Sequence, residues 1–177
     1  FADVENDCPA DLYIAKGTVY QMPGRAIQDP INLLMHNSDG TFTEQSVAAG
    51  IATKERSRGA ALADFDNDGR LDLIVVNRRA PMELYRNITE NTGNWLGISL
   101  SQEGGNRNAV GAVVTVQTET SRQSQQLTVG GGHGGGKAVP LHFGLGDADR
   151  ATVTVVWPDG TSSGHDVDAN SAVVLRR

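Results

Sequence analysis

The chain has 177 residues, with 21 Asp plus Glu against 15 Lys plus Arg and a formal net charge of −6. This acidic balance argues against a nucleic-acid partner, which needs clustered Lys and Arg, and it suits proteins that collect hard cations on carboxylates. The single cysteine, Cys8, excludes an internal disulfide, a Cys-based zinc site and a CxxCH haem site. No apolar run approaches the roughly 18 residues that a membrane helix needs.

Short runs rich in β-branched residues alternate with turn clusters along the chain, and helical periodicity is almost absent. Gly at the bend predicts hairpin turns for NSDGT at 37–41 and PDGT at 158–161, and one short helical turn fits SVAAGIA at 46–52. The predicted strands are LDLIVVN (71–77), WLGISLS (95–101), VGAVVTVQ (110–117), QQLTV (125–129) and ATVTVVW (151–157). The pattern predicts an all-β protein.

The strongest local signal is DFDNDGRLD at 64–72, which we call the central loop. Alternate carboxylates in a tight turn can converge on one hard cation, Gly at position 6 lets the backbone reverse, and the carbonyl at position 7 can add an oxygen. The loop is not an EF-hand, because position 12 is Val75 instead of Glu and the flanks predict strands. The alternative is an Asp-rich turn held only by hydrogen bonds, in which crowded acids would repel one another. The predicted calcium ligands are Asp64, Asp66, Asp68, the Arg70 carbonyl and Asp72.

A second copy of this pattern, FADVENDCPADLYIA, occupies residues 1–15, and its residues 3–11 form the N-terminal loop. Cys8 stands where Gly would make the turn, so the residues leave open whether this loop binds a cation or keeps its fold without one. A repeat of about 60 residues built from short strands suggests propeller blades. The predicted ligands are Asp3, Glu5, Asp7, the Pro9 carbonyl and Asp11.

The polar segment RNITENTGN at 86–94 separates a half with Asp-rich loops from a half with strands of alternating Thr, Val and Gln. This change in pattern predicts one unit at 1–90 and another at 91–177. The chain begins with Phe instead of Met and shows no signal peptide, so we expect a mature or partial piece of a longer protein.

The Gly-rich stretch GGGHGGGKA at 130–138 invites comparison with a phosphate-binding loop. Ala138 stands where a P-loop needs Ser or Thr, and Pro140 does not suit the helix that should follow, so nucleotide binding is not expected. None of the four histidines forms an HxH or HxxxH pair, and a structural role is favoured for each of them. His133, among the glycines, could still take up a transition metal opportunistically.

The DxDxDGxxD loop between strands resembles the FG-GAP (or VCBS) repeat, whose propeller blades bind calcium. Longer pieces, among them SRGAALADFDNDGRLDLIVVN, resemble the propeller of the cartilage acidic protein-like (ASPIC/UnbV) family. GNWLGISL, NRNAVGAVVTV, PLHFGLGDA and VTVVWPDGT resemble the C-terminal domain of that family. The resemblance implies partial FG-GAP-like blades at 1–90, followed by a small ASPIC/UnbV β-sandwich at 91–177.

Three features depart from the family pattern. Two blade-like repeats cannot close a propeller, because an open set leaves unpaired edges. Asn108 stands where the family usually has Asp, and the Gly-rich stretch replaces a GSGY-like polar loop. Glycine tolerates sharp turns and close approach, so we expect that stretch either to pack closely against a neighbour or to be mobile.

The resemblance implies an extracellular or cell-surface module of calcium-dependent or matrix-associated type, and it supplies no reaction. We expect a calcium-stabilised, non-catalytic module in an extracellular, cell-surface or periplasmic location. The expected partner is another protein or further copies of the chain in a surface assembly, without a membrane span. An alternative is a carbohydrate-recognising module of an adhesin or of a larger secreted enzyme, with Trp95 and Trp157 as a sugar platform. Packing is the favoured role for both Trp residues. No GxSxG elbow is present. A third possibility is a hydrolase whose active site lies in a missing N-terminal portion.

Overall fold

The computed structural model describes residues 1–17, 33–37, 39–131, 135–136 and 140–177, and within them it contains strands and turns but no helix. The strands are β1 (Leu12–Tyr13), β2 (Leu33–His36), β3 (Phe42–Glu44), β4 (Ser57–Ala63), β5 (Asp72–Asn77), β6 (Glu83–Tyr85), β7 (Asn94–Ser101), β8 (Val113–Gln117), β9 (Arg122–Gln126), β10 (Gly130–Gly131), β11 (Gly135–Gly136), β12 (Leu141–Gly146), β13 (Arg150–Val156), β14 (Ser162–Asp168) and β15 (Ser171–Arg176). The predicted all-β class is confirmed.

Two small antiparallel sheets make up the N-terminal part, in the orders β1-β2-β3 and β4-β5-β6. The residues that flank the two acidic loops pair in the same way. An isolated bridge joins Ala2 to Asp11, and the equivalent residues Ala63 and Asp72 pair at the end of β4. The described strands do not close into a barrel, which agrees with the expectation of partial propeller blades.

The C-terminal part is a sandwich of two sheets, β12-β7-β15 and β14-β13-β8-β9. Strand β13 shows why these residues form it, because Ala151, Val153 and Val155 are buried while the residues between them face outward. Residues from both sheets share one apolar core, which includes Leu96, Phe143 and Trp157. Each fully buried aliphatic or aromatic side chain of this kind contributes about 1.5–3 kcal/mol to folding.

Both predicted hairpin turns are present. The Asn37 amide donates to the Thr41 carbonyl, and the Trp157 amide donates to the Thr161 carbonyl. Residues 46–50 form hydrogen-bonded turns, and the bond from the Ala49 amide to the Gln45 carbonyl is a single helical turn, as the sequence suggested. The strand expected at 125–129 lies instead at Arg122–Gln126. Among the described residues there is no helical span of the length and apolar character that crossing a bilayer requires.

Candidate metal centre

The central loop connects the antiparallel strands β4 and β5, whose pairing ends at Ala63 and Asp72. Asn67 and Gly69 have φ values of 59° and 87°, in the left-handed region that lets a short loop reverse direction. The Asp64 carboxylate holds the turn from inside, because it accepts the Asp68 amide at 3.1 Å and the Gly69 amide at 2.9 Å. Asp72 is 3 % exposed and accepts the Phe65 amide at 3.1 Å. The backbone therefore aims these carboxylates toward the loop interior.

Three of the predicted ligands come together in this loop. One carboxylate oxygen each from Asp64, Asp66 and Asp72 lies within 4.8 Å of the others. Calcium takes oxygen ligands at about 2.3–2.6 Å, so two ligands on opposite sides of one ion are up to about 5 Å apart. The oxygen-only donor set and its spacing thus fit a hard cation such as calcium, and they lack the nitrogen and sulfur donors that zinc prefers.

Asp68 does not belong to this group of three carboxylates. Its carboxylate forms an ion pair with Arg70 and lies 3.2 Å from the Arg86 guanidinium, while Arg86 Nε also lies 2.7 Å from Asp66 Oδ2. Burial alone would raise the pKa of Asp68, but the Arg70 amide and the Arg70 and Arg86 guanidinium groups lower it. The Arg70 side chain also donates to the Asn87 carbonyl at 3.0 Å. The ligand roles predicted for Asp68 and for the Arg70 carbonyl stay predictions.

The N-terminal loop has the same backbone scaffold as the central loop. Asp3 accepts the Asp7 amide at 3.0 Å and the Cys8 amide at 2.8 Å, as Asp64 does with its own loop. Asp11 accepts the Val4 amide at 2.9 Å, which matches the bond from Phe65 to Asp72. Asn6 and Cys8 have φ values of 59° and 88°, so Cys8 takes a conformation that favours glycine. The two loops therefore repeat in backbone structure as well as in sequence.

The carboxyl groups of the N-terminal loop have a different environment. Burial raises the pKa of Asp3 to about 7, although the Cys8 and Asp7 amides act in the opposite direction. Burial is also the largest cause of the raised pKa values of Glu5 and Asp7. Within the described parts of the chain, the carboxylates of this loop do not converge as those of Asp64, Asp66 and Asp72 do. The ligand roles predicted for Asp3, Glu5, Asp7, the Pro9 carbonyl and Asp11 stay predictions.

Trp157 and His165, which the sequence also singled out, have structural partners. Trp157 is 2 % exposed and its Nε1 donates to Ser163 Oγ at 3.0 Å, so the favoured packing role is confirmed for it. His165 Nε2 lies 3.0 Å from the same Ser163 oxygen. Strands β10 and β11 pair within the Gly-rich stretch, whereas His133, Lys137 and Ala138 fall outside the described residues.

Sequence reasoning missed several residues that shape the loops. Arg86 and Asn87 follow β6, and the Asn87 amide donates to Asp72 Oδ1 at 2.8 Å. Asn6 is 1 % exposed and contacts both the central loop and the C-terminal part. One local signal was present, because Asn occupies position 4 of both loops and tolerates left-handed φ better than most residues.

Comparison with known proteins places the chain among established relatives. The FG-GAP-like repeat model matches residues 3–75, and the "ASPIC and UnbV" model matches residues 102–177. Cartilage acidic protein 1 from Homo sapiens is 30% identical over 128 residues, which cover 70% of this chain and 19% of the relative. The protein of that name from Xenopus tropicalis is 33% identical over 163 residues, which cover 90% of this chain and 25% of the relative.

The chain thus spans about a fifth to a quarter of the length of the curated relatives it matches. The two family models together account for both loops and for most of the sandwich, in the order that the sequence motifs indicate. The chain belongs to the family that joins FG-GAP-like repeats to an ASPIC/UnbV domain.

Proposed function

We propose that the chain is a calcium-stabilised, non-catalytic module for interaction or assembly in an extracellular setting. The supporting observation is the group of three carboxylates in the central loop, whose oxygens lie within 4.8 Å of one another. Two of these residues are fixed by backbone amides, so they are oriented before any cation arrives. Calcium would supply charge neutralisation there, and Asp64, Asp66 and Asp72 would hold it.

The setting and the kind of partner are inferred from the relatives. The relatives are named Cartilage acidic protein 1, a name that refers to cartilage and to acidity and describes no reaction. This supports an extracellular module whose partner is a protein or further copies of the chain. The carbohydrate alternative is not favoured, because Trp157 is buried and the Trp95 ring stacks on His142, with ring centroids 6.1 Å apart.

The first test is calcium binding to the full chain, measured by calorimetry and by thermal unfolding with and without EDTA. Extracellular calcium sites often have Kd values of about 0.1–1 mM, so about 10 mM calcium should add about 1.4–2.7 kcal/mol of stability. For a chain of this size, that corresponds to a rise in Tm of about 3–10 °C. Equal melting with calcium and with EDTA would refute the proposal.

Asp66→Ala and Glu5→Ala form a matched pair, because the two residues occupy position 3 of their loops. Asp66→Ala is expected to remove most of the sensitivity to EDTA, since it deletes one of the three converging carboxylates. Glu5→Ala should retain that sensitivity if the central loop alone binds calcium. A calorimetric stoichiometry of two that falls to one in each variant would show instead that both loops bind.

A further inference from the structure

Asn6 connects three parts of the molecule through one buried side chain. Its Nδ2 donates to the Gly69 carbonyl in the central loop at 2.9 Å. Its Oδ1 lies 2.7 Å from His142 Nε2 in β12, so with this amide orientation the histidine nitrogen carries the proton and donates. Its backbone carbonyl accepts the Gly146 amide at 2.9 Å. An Asp at this position could accept from His142 but could not donate to Gly69.

A ring stack continues the connection from the central loop. Gly69 has no side chain, and the indole of Trp95 lies where a Cβ would be, so any other residue at position 69 would overlap it. The Trp95 indole also stacks on the imidazole of His142, with an interplanar angle of 7°. Gly69 therefore touches the C-terminal part by its Cα and touches Asn6 by its carbonyl.

Close backbone approach completes this contact zone. The Gly93 amide donates to the Glu5 carbonyl at 2.9 Å, and a Cβ at Gly93 would overlap the Asn6 carbonyl. At Gly144 in β12 a Cβ would overlap the Asp3 carboxylate. Because Gly93 and Gly144 leave no room for side chains, the N-terminal loop is held at backbone distance from the start of β7 and from the end of β12.

We propose that Asn6 is the positioning residue of an internal interface, which joins the two acidic loops to each other and to β7 and β12. Through this interface, cation binding at the central loop changes the surroundings of the Trp95 indole. The second half of the proposal rests on the proposed function. Asp64 holds the Gly69 amide, and Gly69 in turn supports the Trp95 indole. A cation that draws the Asp64 carboxylate inward therefore shifts or stiffens the surface on which Trp95 rests.

The chain offers a spectroscopic reporter for this coupling, because Trp95 and Trp157 are its two tryptophans. In the full chain carrying Trp157→Phe, tryptophan emission reports Trp95 alone. The emission should change on addition of CaCl2 and saturate with the Kd that calorimetry gives. If calorimetry detects binding and the emission does not change, the coupling is refuted and the proposed function stands. If calorimetry detects no binding, the proposed function and the coupling both fail.

The positioning role of Asn6 has a matched control in Asn67. Both residues occupy position 4 of their loops with φ of 59°, but Asn67 is exposed. In the Trp157→Phe background, Asn6→Gly should reduce the calcium-induced change at Trp95 at least twofold, and it should change the calorimetric Kd by less than about threefold. Asn67→Gly should keep the full response. Equal responses in the two variants would refute the role of Asn6.

Hydrogen exchange in the unmodified chain tests the interface without any substitution, which covers the case that Asn6→Gly fails to fold. The amides of Gly93 and Gly146 donate to the Glu5 and Asn6 carbonyls, so their exchange should slow at least threefold when calcium is added. The Val153 amide, in the sandwich core, should show no comparable change. Unchanged exchange at both Gly93 and Gly146 in calcium-saturated protein would refute the coupling.

Discussion

The N-terminal and central loops have the same backbone hydrogen bonds and nearly identical φ values, yet their side chains face different surroundings. Asp3 lies under Gly144 in the internal interface, where burial raises its pKa to about 7. The central loop places Asp66 and Asp68 beside the exposed guanidinium of Arg86. One scaffold can therefore serve two purposes. The N-terminal loop packs against the C-terminal part, and the central loop keeps the Asp66 carboxylate exposed, which suits the proposed cation site.

Position 6 of the two loops gives the comparison with the largest expected effect. Gly69→Ala should cost about 3–5 kcal/mol of unfolding free energy, because a Cβ at φ 87° is strained and also overlaps Trp95. Gly160→Ala, at φ 86° with open space around it, measures the strain alone and should cost about 1 kcal/mol. Cys8→Ala, at the equivalent position of the N-terminal loop, should change stability by less than about 1 kcal/mol. Chemical unfolding measures all three, and equal losses for Gly69→Ala and Gly160→Ala would show that Trp95 does not rest on Gly69.

The interface also predicts a pH dependence from His142, the β12 residue that contacts Asn6 of the N-terminal loop. Burial lowers the pKa of His142 to about 4 from an ordinary value of 6.5. The histidine is neutral when folded, so its contribution to stability is present above about pH 6.5 and is lost as the pH falls toward 4. Between pH 7 and pH 5 this loss is about 2 kcal/mol. His142→Gln keeps a donor for Asn6 and cannot titrate, so it should lose about 2 kcal/mol less than the parent over that interval.

Asp3 opposes this effect in the parent protein. Its folded pKa of about 7 lies above its ordinary 3.8, so its contribution is fully present below about pH 3.8 and is lost progressively as the pH rises to 7. Unfolding curves of the parent alone would mix the two groups, whereas the difference between parent and His142→Gln isolates the histidine. Parallel pH profiles for the two proteins would show that His142 is not buried against Asn6.

Local sequence patterns account for most of the fold and for the three carboxylates that come together in the candidate site. The alternation in β13, the Gly-containing turns and the spacing of Asp64, Asp66 and Asp72 are all set by neighbours along the chain. The bond from His142 to Asn6 spans 136 positions, so no window of the sequence could reveal it. Likewise Arg86 reaches Asp68 only because β6 pairs beside β5. The spacing of the Asp residues predicted where carboxylates gather, but it could not predict which of them would form an ion pair with an arginine that follows another strand.

Arg86 supplies the smallest expected effect and the sharpest distinction between the loops. Its guanidinium lies within 3.2 Å of the Asp66 and Asp68 carboxylates, so its positive charge opposes the binding of a cation in the central loop. Among the described residues, no ion pair joins an arginine to the N-terminal loop. Arg86→Gln should raise calcium affinity about two- to fivefold in calorimetry at low salt, which corresponds to the modest strength of exposed ion pairs. High salt should shrink the gain, because exposed charges are screened. Arg150→Gln removes an exposed ion pair in the sandwich, 2.9 Å from Asp168, and should leave affinity unchanged. A loss of affinity in Arg86→Gln would mean that the arginine holds Asp66 in place for the cation instead of competing with it.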